Sequence, residues 1–154
     1  MNEEIVVFDC GKRFGLKAIH IEEIIMPDTV ISLPLNLPAI EGLISVRDAV
    51  LPLINLEAFF GYSDDKHSTD DDTRFIIVKE GGFSAALRVN RIVGLMPLTA
   101  ASPPPEVIES WNDREKTFVS DIATLEDGAM VMLPALNIML DDLKATSQRV
   151  IDAY

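Results

Sequence analysis

The residues of this chain whose types could do chemistry are few: two histidines, one cysteine and a run of aspartates. His20 falls in a strand-like run and His67 in an acidic loop, and neither has the partners that a metal site or an activated nucleophile needs. Cys10 ends a strand with no histidine or cation beside it, the setting of a buried thiol acting as a small hydrophobe. Asp64, Asp65, Asp70, Asp71 and Asp72 could draw a hard cation, but the ordered spacing, glycine and closing glutamate of an EF-hand are missing. The stretch therefore reads as a solvated loop. There is no Gly-rich phosphate loop, HExxH, GxSxG or paired Cys/His spacing. Acid/base work needs paired carboxylates held in a pocket, and most acids here crowd into loops and termini instead, so nothing in the sequence asks for catalysis. The expectation is a non-enzyme with no cofactor and no metal.

The elements that carry these residues read mostly as short strands. Ile5–Phe8 is β-branched and stops at a turn signal, Cys10-Gly11-Lys12-Arg13; Phe14, Leu16 and Ala18 then alternate as a hairpin partner. Ile21, Ile24 and Ile25 precede the break at Pro27-Asp28. Ile40 to Asn55 reads as strand, turn near Arg47-Asp48, and strand, followed by a helical turn from Leu56 to the stop at Gly61. Phe75–Val78 and Phe83–Val89 are strands, the second with Ser84, Arg88 and Asn90 on its polar side. Ser102-Pro103-Pro104-Pro105 is a stiff connector, and Glu106 to Asn112 a short helix. Thr117–Leu125 and Ala129–Leu133 pair across Glu126-Asp127-Gly128, and Leu136, Met139, Leu140 and Leu143 give a closing amphipathic helix.

With 154 residues, a net charge of -12 and 48% hydrophobic residues, the chain is long enough to bury a core without disulfide or metal. The acidic balance argues against nucleic acid and anionic membrane as partners. No apolar run approaches the length of a membrane helix, and Met1-Asn2-Glu3-Glu4 is acidic where a signal peptide is basic, so a cytoplasmic protein is expected.

The chain also echoes itself. Ala18-Ile19, Ile21 and Ile24-Ile25 match Ala86-Leu87, Val89 and Ile92-Val93, and Leu51–Leu56 matches Leu133–Ile138 as LPxφNφ, with φ aliphatic. Two small β-units would escape exposed edges by curling into barrels. The expected fold is mainly β: two small barrels side by side and a short C-terminal helix. Approximate halves are 1–63 and 74–148, with the acidic loop 63–73 between them, and a groove between the units would be a docking surface. Arg47 at its turn either meets a partner or pairs internally with Glu23. The isoleucines Ile21, Ile24 and Ile25, and Leu95-Met96-Pro97-Leu98, serve either the core or an interface.

Phe8…Gly11…Phe14-Gly15-Leu16…Ile21-Glu22-Glu23-Ile24-Ile25 resembles the opening of the CheW-like domain. Leu33-Pro34…Pro38-Ala39-Ile40-Glu41-Gly42-Leu43-Ile44-Ser45-Val46-Arg47-Asp48-Ala49-Val50-Leu51-Pro52-Leu53-Ile54-Asn55-Leu56 is similar to the family's most diagnostic stretch, built on N-L-R-G and P-x-x-D-L. The likeness runs on through Val89–Gly94 to Leu136-Asn137-Ile138, covering roughly residues 5 to 143.

The resemblance implies a single CheW-like domain of two five-stranded, SH3-like barrels, acting as a non-catalytic adaptor. Its partners would be the regulatory domain of a CheA-type histidine kinase and the signalling tip of a methyl-accepting chemoreceptor, with weak self-association through barrel ends. Carried over by position, Arg47, Glu23, Ile21 and Gly42 would belong to the receptor side and Leu95 to the kinase side. The chain departs from the family at Asp48 (glycine), Asn55 (aspartate) and Asn90 (aspartate). An aspartate beside Arg47 would lower the positive potential a receptor meets. Two other readings stay open: a module of a divergent array, such as one controlling type IV pili, and a small-ligand sensor using the groove between the barrels.

Overall fold

The computed structural model describes residues 3–34, 37, 39–62 and 69–153; Asp64, Asp65 and His67 lie outside the described residues. In chain order the elements are β1 (Glu4–Cys10), β2 (Lys12–Lys17), a 3-10 turn (Ala18–His20), β3 (Ile21–Ile25), β4 (Ile40–Val46), β5 (Ala49–Asn55), α1 (Leu56–Phe59), β6 (Arg74–Glu80), β7 (Phe83–Val89), β8 (Arg91–Pro97), β9 (Ala100–Ala101), α2 (Pro105–Glu109), α3 (Asp113–Phe118), β10 (Val119–Thr124), β11 (Met130–Pro134) and α4 (Leu136–Ala153). Local chemistry explains several boundaries. Gly11 turns the first hairpin at a φ of 76°, where a side chain would be strained. Asn55 caps α1 by accepting from the Ala58 N–H, and Pro105 opens α2, where its missing N–H is no loss. Asn112 and Glu115 form a reciprocal capping box that starts α3. The C-terminal helix is not short: it runs for 18 residues, and its buried face continues past Leu143 through Ser147 to Val150.

The strands form two sheets. Sheet A has six strands in the order β8-β1-β2-β11-β10-β9, and sheet B five in the order β3-β6-β7-β5-β4. The sixth strand of sheet A is the two-residue β9 laid against β10, and a single bridge from Ile31 to Leu43 does the same for β4. This corrects the division at the acidic loop. Sheet B is made entirely within residues 21–89, so the loop lies inside it, between α1 and β6, while sheet A joins β1 and β2 to strands after residue 90. The chain passes between sheets at Ala18–His20 and again at Asn90. The composition break at 63–73 does not mark a change of sheet.

The duplication is present in the topology. Exchanging β1, β2, β3, β4 and β5 with β6, β7, β8, β10 and β11 converts the first five strands of sheet A into sheet B in the same order. Each repeat gives its first hairpin to one sheet and its other strands to the second. The irregularities repeat as well: β3 bulges between Ile21 and Glu23, β8 skips Val93, and β4 and β10 bulge at Glu41 and Ser120. Register against the neighbouring hairpin makes Leu95, opposite Val6, the counterpart of Ile24, opposite Ile76. The sequence match had set Ile24 against Ile92, three positions away, and its second match is displaced by two, since Leu53 corresponds to Leu133.

Each sheet closes on a small core of its own. Phe75, Ile77, Leu53, Ile44 and Leu51 fill sheet B, with Ile5, Val7, Leu133, Ala123 and Val131 at the equivalent places in sheet A. A third and larger core lies between the sheets, where Phe8, Phe14, Ile76 and Leu87 meet Phe59 and Phe60 of the α1 segment and Leu136 and Leu140 of α4. Phe14 stacks on Phe60 at 5.0 Å.

Candidate functional site

β3 and β4 are opposite edges of sheet B, yet Arg47, in the turn after β4, places its Nη2 3.2 Å from a carboxylate oxygen of Glu23 on β3. That contact requires the sheet to have curled until its ends meet, and the ion pair spans the seam. The internal pairing of Arg47 with Glu23 is present, and the Arg47 side chain is 81% exposed. An exposed pair of this kind contributes little stability, about 0–1 kcal/mol. Among the described residues Arg47 pairs with Glu23 and not with Asp48.

The turn itself is strained. Arg47 and Asp48 have φ of 46° and 67°, the left-handed region demanded by a tight two-residue hairpin. Aspartate tolerates this better than most residues, glycine better still. Asp48→Gly is expected to stabilise the protein by about 0.5 kcal/mol, read as a small rise in thermal midpoint, and Asp48→Ala to lower it. Equal midpoints for all three would remove the strain argument.

Gly42 has a packing reason for being glycine. A Cβ built there would stand 2.4 Å from the Ile31 carbonyl oxygen, because the Ile31–Leu43 backbone bridge crosses it. Ile21 and Ile25 turn inward and are half-buried, whereas Ile24 turns out. Leu95, its counterpart on β8, is 58% exposed. The structure thus brings Ile21, Glu23 and Arg47 to the seam of one barrel, sets Gly42 beneath the neighbouring bridge, and leaves Leu95 on the edge of the other barrel.

A groove of about 290 Å³ runs between the barrels, lined by Leu16, Lys17, His20, Glu80, Leu136 and Ile138 among others. His20 Nδ1 lies 2.8 Å from a Glu80 oxygen at its rim, and Ile19 nearby is 83% exposed. Cys10 is buried, and burial, with Glu57 close by, pushes its thiol up to about 12, so it is no nucleophile at neutral pH. Among the described residues no three His, Cys, Asp or Glu side chains are placed to hold a metal ion, and no helix is long and apolar enough to cross a membrane.

Two polar networks escaped sequence reasoning. Period-two alternation put Arg88 on the polar side of its strand and named no partner for it; it is 8% exposed, bonded to Glu41 at 2.7 Å and to the Thr69 hydroxyl at 2.8 Å. Glu115 is fully buried and accepts from Lys12, Tyr62 and the Asn112 N–H. The Asn-x-x-Glu capping signal at 112–115 was legible for the second; nothing local marked the first.

The model of the CheW-like domain matches residues 4–144. The chain belongs to the CheW-like domain family. Chemotaxis protein CheV3 of Helicobacter pylori is 24% identical over 131 residues, which make up 85% of this chain and 42% of that protein. The chain therefore spans less than half the length of that curated relative. The crystal structure of scaffolding protein TtCheW from Thermoanaerobacter tengcongensis superposes with a TM-score of 0.76 at 28% identity, covering 91% of this chain and 88% of that one. The CheW-like domain described here shares the fold of that scaffolding protein, and its two curled sheets are the family's SH3-like barrels.

Proposed function

We propose that this CheW-like domain is a cytoplasmic adaptor joining a CheA-type histidine kinase to chemoreceptors. The kinase's regulatory domain docks on the β8 edge around Leu95. The signalling tip of a methyl-accepting receptor docks at the seam of sheet B, where Glu23 orients Arg47, Ile21 backs β3 and Gly42 lets the chain pass close by. The observation that supports this most is a pair of exposed aliphatic edge positions, Leu95 and Ile24, one on each barrel. An adaptor needs two separate surfaces, and desolvated aliphatic anchors supply affinity where charges supply orientation. The groove between barrels, with Ile19 and Ile138 exposed beside it, adds apolar area on the receptor side.

The test is a pull-down and titration against the regulatory domain of the CheA-type kinase from the same genome. Micromolar binding is expected, at least ten-fold weaker for Leu95→Arg, whose thermal midpoint stays at that of the parent because the side chain is exposed. A folded protein that ignores the kinase, or a Leu95→Arg variant that binds it unchanged, would remove the adaptor reading or its kinase surface respectively.

A further inference from the structure

A cavity of about 400 Å³ lies between α1, α3 and α4, lined by Ala39, Ala58, Phe59, Arg114, Asp142 and Thr146 among others. It sits on the helical side of the fold, away from β3 and β8. Arg114 is fixed there: its Nε donates to the Phe59 carbonyl at 2.8 Å, and its guanidinium lies 4.5 Å from the centre of the Phe59 ring and 4.7 Å from that of Phe118. This uses one of five N–H donors and leaves the planar fork of the other four unspent. Among the described residues neither Arg114 nor Asp142 belongs to an ion pair. Asp142 and Thr146 are one turn apart on α4, so they line one wall together.

A fixed cation and a carboxylate thus face one cavity without touching each other. A simple anion would meet Asp142 and a simple amine would meet Arg114; a small molecule bearing both charges satisfies each. We infer that the cavity binds a free α-amino acid, its carboxylate on the Arg114 fork, its ammonium on Asp142 and its side chain against Ala58 and Thr146. This goes beyond the adaptor reading and does not rest on it.

The full chain would be titrated calorimetrically with glycine, L-alanine, L-serine and L-leucine, with sodium acetate and ethylammonium chloride as single-charge controls. At least one amino acid is expected to bind at least ten-fold more tightly than either control. Asp142→Asn should weaken it ten-fold or more with an unchanged thermal midpoint. Arg114→Lys, which keeps the charge but loses the fork, should do the same; if it does not fold, Asp142→Asn carries the test alone. No binding by any of the four, acetate binding as tightly, or an undiminished Asp142→Asn variant would each overturn the assignment.

Discussion

Cut within residues 63–68, the protein keeps its fold only while both pieces are present. Residues 3–62 carry β1–β5 and residues 69–153 carry the rest, so the pairings β1–β8, β2–β11, β3–β6 and β5–β7 all join one piece to the other. Neither piece holds a complete sheet. The core of sheet B takes Ile44, Leu51 and Leu53 from the first piece and Phe75, Ile77 and Ala86 from the second. Alone, each piece exposes half of two barrel interiors and part of the core between them, more than a unit of about 60 residues can forgo. Each piece by itself should give no cooperative thermal transition and a collapsed amide spectrum. An equimolar mixture should regain both, with a midpoint that rises with concentration as mass action requires. A cooperative melt from either piece alone would contradict the topology.

The second large effect concerns Glu115. Its carboxylate accepts from Lys12 at 2.7 Å, from the Tyr62 hydroxyl and from the Asn112 N–H, tying the first hairpin, the end of α1 and the start of α3 to one buried point. Removing it takes the acceptor from the part-buried Tyr62 hydroxyl and from the Asn112 N–H, and dissolves the capping box. Glu115→Ala is expected to cost about 3 kcal/mol, about 10 °C in thermal midpoint, whereas Lys12→Ala should cost less, because Glu115 keeps its bonds from Tyr62 and Asn112. Burial works against the Glu115 charge, but the bonds from Lys12, Tyr62 and Asn112 outweigh it and hold its pKa below the ordinary 4.5. A carboxylate with a depressed folded pKa stabilises fully above its unfolded value and less as pH falls through the folded one. Stability of the parent should therefore fall below about pH 4.5, and Glu115→Gln should flatten that decline. Parallel pH curves for the two proteins would shift the acid sensitivity to other groups.

Strand identity was readable because β-branched runs and turn residues act locally: β1, β4, β5 and the β10–β11 hairpin lie close to where alternation and Glu126-Asp127-Gly128 put them. Partnership between strands was not. Ala18–His20 and Asn90 move the chain from one barrel to the other within a few residues and carry no glycine, proline or charge run to announce it. The repeat was detected, but aliphatic residues substitute freely for one another, so Ile24 slid to Ile92 although its edge-strand counterpart is Leu95. Arg47 with Glu23 was foreseen as a pair, whereas the Arg88–Glu41 pair depends on a bulge and on the loop at Thr69, neither of which periodicity reports. The cavity at Arg114 is assembled from three helices and a strand-end loop, a juxtaposition that no local pattern records.

The two passages between sheets have a mechanical meaning. Two barrels joined by a single tether can swing; here two short tethers run across, with a shared aromatic core between them. Each tether is pinned at its end, His20 to Glu80 and Asn90 to Glu57 and to the Asp9 carbonyl, and each leads straight into an edge strand, β3 or β8. A load applied to either edge is taken up by a pinned crossing and passes into the other barrel. The two crossings and the core between them thus join β3 and β8, one edge of each barrel, as parts of a single body.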